Sequence, residues 1–248
     1  MPSASDIAHC IAFFTRLPLP SLSMPEKPFA SVLWAAPVAG WVVGAIGAGA
    51  FALGHAAGLP AGPAAALALA ATLAVTGGLH EDGLSDTADG FGGGRDRERR
   101  LEIMRDSRIG SYGAATLGLS LLLRWSALAA IAQPGAVFWA MLAAHGASRA
   151  ILPAFMAWTP PARRDGLSAG AGMPETTVAF GALALGLASL LLLGAATAFV
   201  AALCIFIIAF LFRSLCLSKI GGQTGDTAGA LQQGCEIAVL LCAAALFS

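Results

Sequence analysis

Long apolar runs separated by short polar segments dominate the chain. Crossing a hydrocarbon layer of roughly 30 Å takes about 20 apolar residues in a helix. The run at 178–212 is too long for one ordinary span, so we divide it near Gly194. The pattern predicts an all-α polytopic membrane helical bundle with about seven transmembrane helices. The predicted spans are 32–54, 61–77, 111–132, 135–158, 178–194, 196–212 and 228–247.

The apolar stretch nearest the N-terminus, IAHCIAFFTRLPLP at 7–20, is too short to span a bilayer. Phe13 and Phe14 beside Arg16 are typical of a helix that lies in the membrane interface. Pro18 and Pro20 are expected to end that helix, because proline lacks the backbone N–H that a helix interior requires.

Composition and charge support a membrane protein. The mean hydropathy is +0.77 and only 11% of residues are charged, against about a quarter in a soluble domain. The net charge is zero, so no nucleic-acid partner is expected. With seven spans, all Lys and Arg residues near span ends fall on one side, and the turns at 55–60, 133–134 and 194–195 carry none. This bias places the charged side in the cytoplasm.

No linker is long enough to divide the chain, so we expect one transmembrane domain covering residues 1–248. Its polar chemistry is expected in two cytoplasmic loops, 78–110 and 213–227. Small-residue spacings inside the spans, such as Gly40 with Gly44, are typical of helix-packing faces and permit a homo-oligomer.

The first polar loop holds half of the charge on the chain: 8 of 14 acids and 6 of 14 bases lie between His80 and Arg108. Asp82, Asp86 and Asp89 are four and three residues apart, so on a helix they share one face. Their mutual repulsion would be relieved by a divalent cation, and an oxygen-only ligand set favours Mg²⁺ or Mn²⁺. The alternative is a solvated acidic helix face.

Glycines and then arginines follow these acids. Gly92 and Gly93 belong to a glycine run that would permit a tight loop and a close approach of the backbone to a ligand. Arg95, Arg105 and Arg108 come next, and guanidinium groups suit phosphate oxygens. Acids, glycines and arginines in this order favour a metal site, a loop and a phosphate clamp.

A second polar segment, GGQTGDTAGA at 221–230, contains Asp226. This residue is either an ordinary acid at the start of the last helix or another carboxylate of the site. Three charges lie inside spans. Arg149 and Glu236 are at similar depth and are expected to face each other or a shared polar cavity, whereas Arg124 is expected to snorkel beside Trp125.

Five motifs together resemble the cobalamin synthase family, also called adenosylcobinamide-GDP ribazoletransferase. They extend from the N-terminal region to the last predicted helix, so the resemblance covers nearly the whole chain. They are TRLPLP at 15–20, GGLHEDGLSDTADGFGGGRD at 77–96, RRLEIMRDSRIGSYG at 99–113, ASR at 147–149 and GGQTGDTAGA at 221–230.

The resemblance implies a Mg²⁺-dependent enzyme of the bacterial inner membrane, with its active site facing the cytoplasm. A ribose hydroxyl of α-ribazole, or of its 5′-phosphate, would attack the cobinamide phosphate of adenosylcobinamide-GDP and release GMP. The product would be adenosylcobalamin or its phosphate.

In this reading each predicted site residue has a role. Asp82, Asp86 and Asp89 would hold the metal ion, and Asp106, or else Asp226, would accept the proton of the attacking hydroxyl. The expected substrate-binding residues are Arg95, Arg105, Arg108, Gly92, Gly93 and Arg149.

Two other functions remain open at this stage. The chain is more distantly similar to the CDP-alcohol phosphatidyltransferases, because Asp86, Asp89 and Gly90 satisfy their DxxDG pattern. A cation transporter would also use acidic residues, but transporter sites usually lie near mid-membrane, and the arginines beside these carboxylates would repel cations.

Overall fold

The structure is a computed structural model and describes residues 3–19 and 28–247. Its described part is all-α, as predicted, and contains no β-strand; one isolated bridge joins Pro161 and Gln223. A 3₁₀ helix, Phe29–Ala35, leads into the second α-helix. The α-helices are α1 Ala4–Phe14, α2 Ala36–Ala56, α3 Ala61–Thr76, α4 Leu79–Gly93, α5 Arg97–Ile103, α6 Ser111–Ile131, α7 Pro134–Trp158, α8 Leu167–Ala171, α9 Thr176–Leu191, α10 Ala195–Ile220 and α11 Gly225–Phe247.

Five helical segments are long and apolar enough to cross a membrane: the 3₁₀ helix with α2, then α6, α7, α10 and α11. The pair α3 and α4 meets the same test only together and is bent by 90°. The predicted count of seven is therefore not confirmed. Helices α3 and α9 have 16 residues each, which gives a length of about 24 Å at 1.5 Å per residue.

The predicted break near Gly194 is confirmed, because α9 ends at Leu191 and α10 begins at Ala195. The N-terminal helix α1 is also present. It ends at Phe14, four residues before Pro18, since Thr15 is already extended. Pro20, the second proline expected to end this helix, lies outside the described residues.

Glycines allow the closest helix packing in the bundle. A Cβ atom added at Gly44 would lie 2.7 Å from the Met141 carbonyl oxygen, and one at Gly40 would overlap the backbone of His145. The backbones of α2 and α7 therefore touch without intervening side chains, as the spacing of these two glycines predicts.

The 90° bend between α3 and α4 turns the acidic helix α4 away from the axis of α3. Gly77 and Gly78 both adopt left-handed backbone conformations, with φ of 67° and 70°, which glycine reaches without strain. The Arg16 backbone N–H donates to the Val75 carbonyl at 2.6 Å, and the Arg16 side chain packs on Gly77. Arg16 thus fixes the corner that positions α4.

The two predicted polar segments contain more helix than expected. Residues 78–110 contain helices α4 and α5, and Gly92 and Gly93 form the last turn of α4. A Cβ at Gly92 would lie 2.7 Å from the Tyr112 ring, so a small residue is needed there for packing. The predicted loop 213–227 is also shorter than expected, because α10 continues to Ile220.

Candidate active site

Helices α4 and α11 approach closely enough to bring two acidic segments together. A Cβ at Gly83 would lie 2.7 Å from the Asp226 carbonyl oxygen, and one at Gly229 would lie 3.2 Å from the His80 Cα atom. This backbone contact places Asp82, at the start of α4, beside Asp226, at the start of α11. Both residues line one cavity, although 143 positions in sequence lie between them.

The segment after α7 supplies a cation to the same place. Backbone hydrogen bonds from Ala162 to Gln223 and from Gln223 to Pro160, both 2.8 Å, tie this segment to the GGQTGDTAGA turn. The tie positions Arg163, whose Nη2 donates to Asp226 Oδ2 at 3.3 Å. The Nη1 atom of Arg163 is buried and has no hydrogen-bond partner among the described residues, so this guanidinium retains a free donor.

The cavity has a volume of about 280 Å³ and two chemically different sides. One side is polar and includes Asp82, Arg163 and Asp226. The other is apolar and is formed by side chains from α1, the 3₁₀ helix and α7. The apolar residues are Phe13, Phe14, Phe29, Leu33, Leu152 and Met156.

Asp86 lies one helical turn beyond Asp82, outside the five long apolar segments, and is half-buried. Burial, followed by the negative charges of Asp82, Asp226 and Asp89, raises the pKa of Asp86 to about 7. The three other carboxylates are thus near enough to disfavour the charge of Asp86. A cation bound among them would remove this unfavourable interaction.

Asp89 is held differently from the other two predicted metal ligands. It is buried, and its two carboxylate oxygens accept hydrogen bonds from the backbone N–H groups of Gly110 at 2.7 Å and Gly113 at 2.9 Å. These are unpaired donors at the start of α6, where a negative charge is favoured. Asp89 therefore links α4 to α6.

Within the described residues, no three His, Cys, Asp or Glu side chains are gathered as a ready metal site. Magnesium does not require one, because it is commonly bound by one or two carboxylates together with substrate phosphates. Asp86 and the three carboxylates near it offer only oxygen atoms as metal ligands, and these suit a hard divalent cation.

A second polar cluster lies between α4, α6, α7 and α11. Arg124 Nη1 donates to Glu81 at 2.9 Å and to Glu236 at 3.2 Å, and all three side chains are buried. The predicted snorkelling of Arg124 beside Trp125 is therefore wrong. The two glutamates were far from Arg124 in sequence, and helix packing brings them to it.

The expectation of a shared environment for Arg149 and Glu236 is confirmed. His145 Nδ1 lies 3.1 Å from Glu236 Oε2, and Arg149 Nη1 lies 3.2 Å from the same His145 nitrogen. Gln232 also donates to Glu236 at 2.7 Å. Arg149 is buried, and its Cζ atom lies 6.0 Å from the centre of the Phe14 ring.

Comparison with known proteins agrees with this arrangement of motifs. A family model described as CobS, cobalamin-5-phosphate synthase, matches residues 6–244. The chain belongs to the cobalamin-5-phosphate synthase family. No solved structure matches it.

Similar proteins share nearly the full length of the chain. The adenosylcobinamide-GDP ribazoletransferase of Mesorhizobium japonicum is 57% identical over 243 residues, which cover 98% of this chain and 94% of the relative. That of Bradyrhizobium diazoefficiens is 51% identical, with coverages of 97% and 94%. That of Azorhizobium caulinodans is 44% identical, with coverages of 96% and 94%.

The arginines expected to bind phosphate are not gathered at the cavity of this family member. Arg105 makes two hydrogen bonds to Asp165, at 2.7 and 2.6 Å, and Arg108 pairs with Asp106 at 2.7 Å. Arg95 is exposed. None of the three is among the residues that line the cavity in the described part of the chain.

The two candidate bases differ in position. Asp106 lies in the turn after α5 and outside the cavity lining, and hydrogen bonds from Arg108 lower its pKa to about 2. Asp226 lines the cavity and accepts hydrogen bonds from Arg163 and Thr224. The geometry therefore favours Asp226 over Asp106 as the base.

Three residues were not predicted from the sequence to belong to the site. Arg163 and His80 line the cavity, and Glu81 pairs with Arg124. The adjacent pair Arg163–Arg164 in a segment on the charged side was the available signal for the first. A buried charge inside a span, Arg124, signalled that an acid was needed, but the sequence did not identify which one.

Proposed function

We propose that the chain is an adenosylcobinamide-GDP ribazoletransferase. It transfers the cobinamide phosphate of adenosylcobinamide-GDP to α-ribazole, or to its 5′-phosphate, and releases GMP. The observation that carries this proposal is the convergence of Asp82, Asp226 and Arg163 on one cavity in a member of this family. An acid pair with a free guanidinium donor suits the transfer of a phosphoryl group.

The proposal includes Mg²⁺, or Mn²⁺ in its place, bound by Asp82 and Asp86 with substrate phosphate oxygens as further ligands. Asp89 would support this pair by fixing α4 against the start of α6. When bound, the ion would neutralise charge on the diphosphate and on the departing GMP.

The protein groups have separate tasks in this mechanism. Arg163 holds phosphate oxygens through its unpaired Nη1, while its Nη2 keeps Asp226 oriented. Asp226 accepts the proton of the attacking ribose hydroxyl. Its position on the first turn of α11, against Gly83 of α4, sets the distance between the base and the phosphate group.

We place this site at the cytoplasmic face of the bacterial inner membrane. The argument is the distribution of Lys and Arg along the chain: turns predicted on the far side carry none. The site residues lie at the start of α4, at the start of α11 and in the segment after α7. The predicted orientation assigns these positions to the charged side.

A reconstituted assay tests the function. The protein, purified into lipid nanodiscs, is incubated with adenosylcobinamide-GDP and α-ribazole in the presence of Mg²⁺, and GMP and the corrinoid product are measured. We expect equal amounts of both. Turnover of CDP-diacylglycerol in place of adenosylcobinamide-GDP would favour a lipid phosphotransferase, and metal uptake into proteoliposomes would favour a transporter.

A further inference from the structure

The apolar side of the active-site cavity has no task in phosphoryl transfer. The Phe13 ring lies 5.0 Å from Phe14 in an edge-to-face arrangement and 4.6 Å from Phe29. Leu33 and Met156 also line the cavity. Phosphates and metal ions gain nothing from aromatic carbon, so this apolar wall is suited to an apolar part of a substrate.

His80 adds a polar group to this wall. It is 4% exposed, lines the cavity and stacks on Phe14 with ring centres 5.6 Å apart. Across the described residues its imidazole forms no hydrogen bond. An imidazole carries at least one N–H in either protonation state, so His80 has a donor without a partner among the described residues.

The substrates of the proposed function differ in how well they match this wall. The guanine of GDP has several hydrogen-bonding atoms, which would be left unpaired against phenylalanine and leucine at a cost in affinity. The corrin macrocycle, with its many amide side chains, exceeds a cavity of about 280 Å³. The base of α-ribazole is a dimethylated benzimidazole, flat and apolar, whose one free ring nitrogen accepts a hydrogen bond.

We propose that this cavity binds the benzimidazole base of α-ribazole. The base packs against Phe13 and Phe14, its free ring nitrogen accepts the hydrogen bond of His80, and the attached ribose extends toward Asp226. This assignment rests on the proposed function and adds that the N-terminal helix α1 selects the base.

One pair of variants tests the aromatic wall. Phe13→Ala removes a ring that is 39% exposed and lines the cavity; Phe138→Ala removes one that is 37% exposed and lies outside the cavity lining. Both rings also pack edge-to-face on a neighbour at 5.0 Å, so the control is matched in exposure and in this contact, although Phe13 additionally packs on Phe29. Equilibrium dialysis in nanodiscs measures the Kd of α-ribazole and, separately, of adenosylcobinamide-GDP.

We expect Phe13→Ala to weaken α-ribazole binding about tenfold, within the range known for stacking of a base on an aromatic side chain. Binding of adenosylcobinamide-GDP should stay within about twofold, and Phe138→Ala should change neither. Equal effects of the two variants, or a loss confined to adenosylcobinamide-GDP, would overturn the assignment.

A ligand analogue tests the role of His80. The riboside of dimethylindole has carbon and hydrogen in place of the free ring nitrogen and cannot accept the hydrogen bond. The wild-type protein should bind it about tenfold more weakly than α-ribazole, because the His80 donor is left unpaired. His80→Phe keeps an aromatic ring on Phe14 and should bind the two ribosides equally.

The results separate the two proposals. Suppose that the wild type releases GMP but His80→Phe still prefers α-ribazole over the dimethylindole riboside. The proposed function would then stand, and the assignment of the cavity to the base would be wrong. Absence of GMP release from the wild type with both substrates and Mg²⁺ present would remove the proposed function and this assignment with it. If His80 had only a structural role, His80→Phe would weaken the binding of both ribosides by the same factor.

Discussion

Replacing Arg124 by methionine should destabilise the protein strongly. The side chain is buried, at 1% exposure, and it is within hydrogen-bond distance of two buried carboxylates, Glu81 and Glu236. Methionine fills a similar volume but brings no charge. Both glutamates would then lose their guanidinium partner inside the helix bundle.

The expected loss follows from the desolvation of the stranded carboxylates. Breaking a buried ion pair by removing one partner costs about 3–5 kcal/mol. For a chain of this length 1 kcal/mol corresponds to a shift of about 2–4 °C in the melting temperature, so Arg124→Met should lower it by about 6–20 °C. Removing one acid as well, in the double variant Arg124→Met with Glu81→Gln, should recover part of this loss, since the remaining Glu236 keeps the buried His145 and Arg149 beside it.

The melting temperature can be followed with a thiol-reactive dye in detergent. Cys10, Cys216 and Cys235 are free and buried, so they react only as the fold opens. Arg213→Met is the control: among described groups Arg213 forms hydrogen bonds only to the Trp158 carbonyl, and no acid is stranded when it is replaced. Equal melting of the two single variants, or a double variant no more stable than Arg124→Met, would refute the reasoning.

Three further predictions concern catalysis. Asp226→Asn should lower kcat by about 10²–10⁴-fold as the loss of a general base, whereas Asp106→Asn should retain near-normal GMP release; similar rates in the two variants would contradict the assignment of the base. Gly83→Ala should reduce both stability and kcat, because its Cβ would lie 2.7 Å from the Asp226 carbonyl, whereas Gly118→Ala, where a Cβ meets nothing, should be tolerated. Treatment with EDTA should abolish GMP release and added Mg²⁺ should restore it; full activity in EDTA would exclude the metal proposal.

The local spacing of residues was a good guide to where helices form and to the break near Gly194. Asp82, Asp86 and Asp89 do lie on one helix, and the pairing of Gly40 with Gly44 does mark a packing face. These features depend on residues three or four positions apart, where backbone geometry alone decides which side chains are neighbours.

The chemical environment of individual residues was harder to predict. Gly92 was expected in a loop and instead packs on Tyr112, because glycine serves close packing as well as tight turns. Arg105 and Arg108 were expected at phosphate and are paired with Asp165 and Asp106. A sequence shows that an arginine is present but does not show which acid forms an ion pair with it.

Hydropathy, helical period and motif spacing are properties of the chain, so they were enough to predict an all-α membrane protein, its acidic helix and its family. Which charged groups lie together depends on the packing of the helices. This packing brought Asp226 and Arg163 to Asp82, and Glu81 and Glu236 to Arg124, through contacts between distant helices. Such contacts between distant side chains depend on how whole helices pack and bend, as at Gly77 and Gly78. Short-range sequence patterns carry little information about them.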